Sequence, residues 1–259
     1  MGAPPASRAA PPGPALADGP AVRVLLLDVE GTTTPLAFVK EVLFPYAARA
    51  LPGFLEAHAF DAAVAGDIAL LAHEYAADRA AGHEDLPPWD GAAGALGALP
   101  YLEYLMRQDR KSTALKSLQG RVWEAGYRAG ELIGQLFPDV APTLKAWYAA
   151  GRRLAIFSSG SIHAQQLLFR HSAAGDLTPY LAGHFDTRTG PKREAASYRR
   201  IAEALSVRPG SVLFVSDVAE ELDAAREAGC ATALSVRPGN APCERADHPR
   251  IAYLSDLGP

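Results

Sequence analysis

Two acids, Asp28 and Glu30, stand one residue apart at the end of the apolar run "VRVLLL". Acids there are costly to desolvate unless a cation or hydrogen-bond donors meet them. Three other runs carry polar chemistry: Ser158-Ser159-Gly160-Ser161, Gly190-Pro191-Lys192 and Ser216-Asp217. A carboxylate at a strand end can attack phosphorus, dividing hydrolysis into two easier steps through an aspartyl phosphate. The attack requires the phosphate's charge to be neutralised. Mg²⁺ suits the task, being commonly held by one or two carboxylates and the phosphate itself. Asp28 and Asp217 could supply those carboxylates. The serine-rich turn offers hydroxyls and amides at a helix N-terminus, a natural phosphate cradle. Lys192 adds a compact positive charge, and Glu30 is placed to protonate a leaving oxygen and then activate water. Singly, each residue reads as a turn former, a helix cap or a solvated side chain. Their combination points to catalysis.

The elements that must position them follow from hydropathy. Val22 to Leu27 reads as a buried parallel strand. In "AFVKEVLFPYAARAL", Phe38, Val42 and Tyr46 fall on one helical face. From there to about Leu136 the chain is helical in character, with breaks expected at Pro52-Gly53, "GHEDLPPWDGAAG" and Gly120. Strands then alternate with helices: "RRLAIFSSGS", "IHAQQLLFRHS", the turn and helix of "GHFDTRTGPKREAASYRRIAEAL", "SVLFVSDVAEELDAAREAG" and "CATALSV". Such alternation implies an α/β fold with a doubly wound parallel sheet, interrupted after its first strand by a helical insert. In open sheets of this kind ligands sit beyond the carboxyl ends of the strands, where these polar groups fall. The expected organisation is a disordered Pro/Ala-rich tail over 1–20, an α/β core over 21–36 and 137–259, and a helical insert over 37–136.

The chain has 259 residues, 49% hydrophobic and 21% charged, enough apolar material for a core without disulfide or metal staples. A net charge of −4 and a pI near 6.0 argue against a nucleic-acid partner. Cys230 and Cys243 have neither CxxC spacing nor a histidine cluster, so a zinc site is not expected and a reducing, cytoplasmic setting is. Cys230 reads as a small buried hydrophobe. No apolar run reaches membrane-spanning length, and with no heptad seam visible the expectation is a monomer acting on a small-molecule phosphate.

Asp28 in "LLLDVEGT", Ser158 and Ser159 in "IFSSGS", Lys192 in "TGPKREAASY" and Asp217 in "FVSDVAEELDAAREAG" resemble the four motifs of the haloacid dehalogenase superfamily of phosphohydrolases. The insert matches the cap position of one class within it. "DVEGTTTPLAFVKEVLFPYA", "DRKSTALKSLQGRVWEAGY", "FSSGSIHAQQLLF" and "FDTRTGPKREAASYRRIA" resemble, more narrowly, the enolase-phosphatase (acireductone synthase) family of methionine salvage, over roughly Val22 to Asn240. Most superfamily phosphatases carry Asp two residues past the nucleophile; this chain has Glu30, as that branch does. The resemblance implies a haloacid-dehalogenase-like core with a helical cap. It also implies one Mg²⁺ per subunit and conversion of 2,3-diketo-5-methylthiopentyl 1-phosphate to the acireductone 1,2-dihydroxy-3-keto-5-methylthiopentene and phosphate. On that basis Asp28 is nucleophile and metal ligand, Glu30 acid/base and metal-associated, and Asp217 a metal ligand. Ser158 and Ser159 bind phosphate or diketone oxygens, and Lys192 binds phosphate. The cap is expected to close over the site and exclude water.

Other residues stay open at this point. Glu220 and Glu221 suit helix-dipole stabilisation, with contact to a metal-bound water the alternative. Arg110, Lys111 and Lys116 could meet an anionic substrate, although an exposed helix face looks the same. His163, His171 and His184 invite a catalytic reading; His163 has no acid partner beside it in sequence and so suits a supporting or capping role. Rival functions are a simple phosphomonoesterase of the same superfamily and a phospho-accepting signalling module. A hydrolytic dehalogenase would leave the metal-binding acids without a task.

Overall fold

The computed structural model describes residues 22–258 apart from 84, 111, 244 and 246. The expected tail over 1–20 and Lys111 lie outside the described residues. Packing divides the chain into two units. One holds the described residues up to Pro35, Leu136–Ser159 and the chain from Pro179 on; the other holds Leu36–Gln135 and Gly160–Thr178.

The first unit is built on six parallel strands: β1 (Val24–Leu27), β2 (Arg153–Phe157), β3 (Leu181–Phe185), β4 (Val212–Ser216), β5 (Ala231–Ser235) and β6 (Arg250–Ile251), in spatial order β3-β2-β1-β4-β5-β6. All four residues of β1 are buried, as befits a central strand covered on both faces. Val24, Leu26, Ala155, Phe157 and Phe214 form one core with α7 (Ala195–Ala204) and α8 (Ala219–Glu227), through Tyr198, Ile201, Leu222 and Ala225. Cys230 belongs to this core, and burial pushes its thiol pKa up to about 12. A further helix, α5 (Val140–Ala149), packs against β2. The doubly wound parallel sheet expected from the alternation is the observed one, with two additions. β3, "LAGHF", runs into a stretch read as turn and helix from Gly183 on, and β6 spans two residues. Both are edge strands; β3 is half-exposed along its length and so lacks an unbroken apolar run.

The second unit contains α1 (Phe44–Ala57), α2 (Ala62–Ala80), α3 (Leu99–Arg107), α4 (Thr113–Arg128) and α6 (Ile162–Arg170). Its entry, Phe38–Leu43, is a π-helical turn. Each wide turn holds an extra residue, so Phe38, Val39, Leu43 and Tyr46 are buried while Val42, expected on the same face, is exposed. Two expected breaks do not occur. Pro52 lies inside α1 between the buried Leu51 and Leu55. Gly120 lies inside α4, where a Cβ would sit 3.4 Å from His163 Cδ2. The polar density of "DRKSTALKSLQG" is largely architectural. Arg110 donates to Asp78 Oδ1 at 2.8 Å, and Tyr101 donates to Asp78 Oδ2 at 2.8 Å. Ser112 caps α4, accepting from Leu115 N–H at 2.9 Å. Glu74 accepts from Thr113 N–H at 3.1 Å and from the Ser112 hydroxyl. α6 is tied in by Gly134 N–H, which donates to the His171 carbonyl at 2.8 Å. Its His163 Nε2 pairs with Glu124 Oε2 at 3.0 Å, and the His171 ring stacks on Tyr127.

Two glycines in this unit separate propensity from packing. A Cβ on Gly126 in α4 would lie 2.4 Å from the Tyr46 hydroxyl, whereas one on Gly66 in α2 meets nothing within 4 Å. Gly66→Ala should therefore stabilise by about 0.5–1 kcal/mol. Gly126→Ala should destabilise by about 1–3 kcal/mol despite the same gain in propensity. Denaturant unfolding of the two variants checks the opposite signs.

Candidate active site

Register aligns Leu27 with Ile156 of β2 and with Val215 of β4. The next residue, Asp28, therefore emerges at the carboxyl edge level with Phe157 and Ser216. The strand order reverses direction between β1 and β4, the switch point where crevices open in such sheets. Ser158 is buried just past β2, where its N–H donates to the Phe185 carbonyl at 3.2 Å, and Ser159 is exposed. Asp217 directly follows β4.

Asp28 is buried and firmly held. Its Oδ1 accepts from Val29 N–H at 2.7 Å and from Lys192 Nζ at 2.8 Å; its Oδ2 accepts from the Ser216 hydroxyl at 3.1 Å. Lys192 stands in the turn ahead of α7, and its carbonyl accepts from the Tyr198 hydroxyl at 2.6 Å. Its ammonium also meets Glu221 Oε2 at 2.5 Å and lies 5.9 and 5.8 Å from the Phe157 and Phe214 ring centroids. Burial alone would discharge such a lysine, but the charges of Asp28 and Glu221 outweigh it and raise its pKa.

Glu221 is the site residue that sequence reasoning left on the helix dipole. It is buried, four positions past Asp217, and pairs with Lys192 and the Ser216 hydroxyl, at 2.9 Å. Glu220 is exposed. Asp217 directly follows β4, and Glu221 stands in the first turn of α8, which begins at Ala219.

The turn after Asp28 is tightly wound. The N–H groups of Thr32, Thr33 and Thr34 all donate to the Val29 carbonyl, at 3.3, 2.9 and 2.9 Å, and Glu30 bridges to Thr34. Gly31 has φ +67°, and a Cβ there would lie 2.2 Å from Asp217 Oδ2. Only glycine admits both the backbone conformation and the carboxylate. Burial, and next the charge of Asp28, push the Asp217 pKa up to about 7. Burial and Asp28 likewise raise that of Glu221, Lys192 opposing them. Three carboxylates thus gather around one ammonium in a largely dehydrated place. The excess is negative and the donors are oxygens, which fits a small, hard divalent cation.

Among the histidines, His184 on β3 is half-buried and burial lowers its pKa. His163 does have an acid partner, Glu124, supplied by tertiary packing. Arg110 is engaged by Asp78, and Lys116 is half-buried on α4.

The fold and the acid-lysine constellation at its switch point define a hydrolase. The chain belongs to the haloacid dehalogenase-like hydrolases, whose family pattern matches residues 22–229. Within that class it belongs to the enolase-phosphatase E1 family. It is 55% identical to the enolase-phosphatase E1 of Synechococcus elongatus over 91% of this chain and 98% of that one. It is 47% identical to the enolase-phosphatase E1 of Stenotrophomonas maltophilia over 86% and 90%. Among solved structures, the UTR4 protein of Saccharomyces cerevisiae is similar, with TM-score 0.72 and 32% identity over 90% of this chain and 98% of that one.

The charge imbalance makes Lys192 and Glu221 unequal. Lys192→Met leaves buried carboxylates without their cation and should cost about 3–5 kcal/mol in metal-free protein. Glu221→Gln removes one charge from the side in excess and should cost clearly less. Urea unfolding in the presence of a chelator checks this, and equal losses would contradict the electrostatic account.

Proposed function

We propose that Asp28, Glu30, Ser158, Ser159, Lys192 and Asp217 carry the enolase-phosphatase reaction of methionine salvage, with one Mg²⁺ per subunit held by Asp28, Glu30 and Asp217. The substrate is 2,3-diketo-5-methylthiopentyl 1-phosphate, which is enolised and then dephosphorylated to the acireductone. The observation that carries this reading is the buried Asp28–Lys192 pair at 2.8 Å, set beside Asp217 at the switch point of the sheet.

The residues divide the work by position. Val29 N–H and Lys192 both donate to Oδ1 of Asp28, which holds the carboxylate in place at the sheet edge. A carboxylate oxygen of Asp28 attacks phosphorus, the bond to the substrate's C1 oxygen breaks, and Glu30 delivers a proton to that oxygen. Glu30 then takes a proton from water as the aspartyl phosphate is hydrolysed, and Asp28 is regenerated. Lys192 gives two of its three N–H donors to Asp28 and Glu221, leaving one for a phosphoryl oxygen. Ser158 has its N–H committed to Phe185, so it acts through its hydroxyl, beside the exposed Ser159, on phosphate or diketone oxygens. When bound, Mg²⁺ supplies Lewis-acid polarisation of both phosphoryl and ketone oxygens.

The chain is read as a cytoplasmic monomer. In keeping with that setting, Cys230 and Cys243 are free thiols, and no helix among the described residues is long and apolar enough to cross a membrane.

An ultraviolet time course with a 2,3-diketo-1-phosphoalkane, with and without Mg²⁺, tests the assignment. Wild type should give a conjugated enol band and then phosphate, both only with Mg²⁺. Asp28→Asn should lose phosphate release by roughly 10³–10⁶-fold. Phosphate released from ordinary esters with no enol from the diketone would leave a simple phosphomonoesterase. A long-lived phosphoaspartate without turnover would leave a signalling module.

A further inference from the structure

Among the described residues, four buried side-chain polar atoms have no hydrogen-bond partner: Thr32 Oγ1, Thr34 Oγ1, Asn240 Oδ1 and the Tyr127 hydroxyl. The first two belong to the turn that follows Asp28, and Asn240 is bonded to it. Buried polar atoms are rarely left unpaired in a folded protein, so a group of them marks a place where something else binds.

Asn240 is the most informative. Its Nδ2 donates to the Gly31 carbonyl at 2.9 Å and to the Ser235 carbonyl at 3.2 Å. Two carbonyl acceptors fix which end of the amide is nitrogen, and therefore where the oxygen points. Oδ1 turns towards Gly31, where a Cβ would lie 2.9 Å from it and 2.2 Å from Asp217 Oδ2. An amide oxygen and a carboxylate oxygen thus crowd the same face of one glycine. With Asp217 ionised both groups are acceptors and cannot satisfy each other, so the place then calls for a proton donor or a cation.

Resting on the magnesium reading above, we propose that Asn240 is a further residue of the cation site, its Oδ1 accepting a hydrogen bond from water carried by the ion. Mg²⁺ retains several of its waters in protein sites, and their protons need acceptors beyond the carboxylates. Asn240 meets that need while its nitrogen anchors the turn carrying Glu30 and Gly31. A single amide thereby couples the position of the turn to the hydration of the ion.

The two ends of the amide can be tested separately by isothermal titration calorimetry of Mg²⁺ into metal-free protein, with no substrate present. Asn240→Ala removes both ends and should weaken Mg²⁺ binding about tenfold, as loss of an outer-shell partner does. Asn240→Asp removes the donors but keeps an oxygen, and should bind Mg²⁺ at least as tightly as wild type. Ser235→Ala removes another donor to the Gly31 carbonyl, present at 3.2 Å, and should stay within about twofold, since it leaves the outer-shell acceptor in place. Circular dichroism confirms that each variant is folded. If Asn240→Asp and Asn240→Ala lose affinity equally, the residue merely holds the turn and the proposal falls. A wild type that takes up no Mg²⁺ would instead remove the cofactor reading, and this one with it.

Discussion

The site depends on holding like charges together. Asp28, Asp217 and Glu221 converge on one edge of a parallel sheet with Lys192 as the cation between two of them. Such a cluster would repel itself apart on a flexible scaffold. It persists here because the acids stand at the ends of, or one helical turn beyond, strands buried on both faces. Lys192 is held from three directions, by Asp28 and Glu221, by the rings of Phe157 and Phe214, and by the Tyr198 hydroxyl on its own carbonyl. The charge that remains uncompensated makes the place receptive to a divalent ion.

The same requirement explains the segment after β5. Ser235 and Asn240 donate to the Gly31 carbonyl, and Arg237 Nε donates to that of Thr32 at 3.2 Å. Arg237 is itself buried. It forks onto both oxygens of Asp139, at 2.8 and 2.9 Å, donates to the Ala252 carbonyl, and lies 4.7 Å from the Phe137 ring centroid. A planar guanidinium satisfies this many partners at fixed angles where an ammonium could not. Arg237 thus ties the turn after Asp28 to the start of α5 and to the chain's end. A turn whose Gly31 packs this closely against the Asp217 carboxylate has little tolerance for drift.

The architecture was legible wherever burial leaves a compositional trace. β1, β2, β4 and β5 are apolar runs bounded by turn residues, and the motif residues at their ends could be placed at one edge. Edge strands leave a weaker trace, which is why "LAGHF" and the two-residue β6 were invisible. Local punctuation also misleads where packing overrides it: Pro52 and Gly120 stay helical because neighbouring residues in the unit reward continuity more than the breaks cost. Glu221 hid behind the dipole explanation that any acid in a first helical turn invites. His163 had a partner, but one on another helix, which no local reading finds. Asn240 sits in an Arg-Pro-Gly-Asn turn, where asparagine needs no further reason to be present.

A second acidic group in the same unit explains why residue types alone do not make a site. Asp223, Asp247 and His248 bring ligand atoms within 4.8 Å of one another. There, however, Arg245 donates to both Asp223 and Asp247, and Arg226 does the same. The hydrogen bond from Arg245 comes first among the causes holding the carboxyl pKa of Asp247 low. Two guanidiniums against two carboxylates leave no deficit of positive charge, and the arrangement is complete as an ion-pair network that joins α8 to the loop before β6. At the sheet edge the count is three carboxylates to one ammonium, the carboxylates are dehydrated, and the pKa values of Asp217 and Glu221 move up instead of down. The sign of that shift separates the two clusters physically: one has its counter-ions built into the chain, and in the other burial and the neighbouring Asp28 charge work against the charged carboxylates.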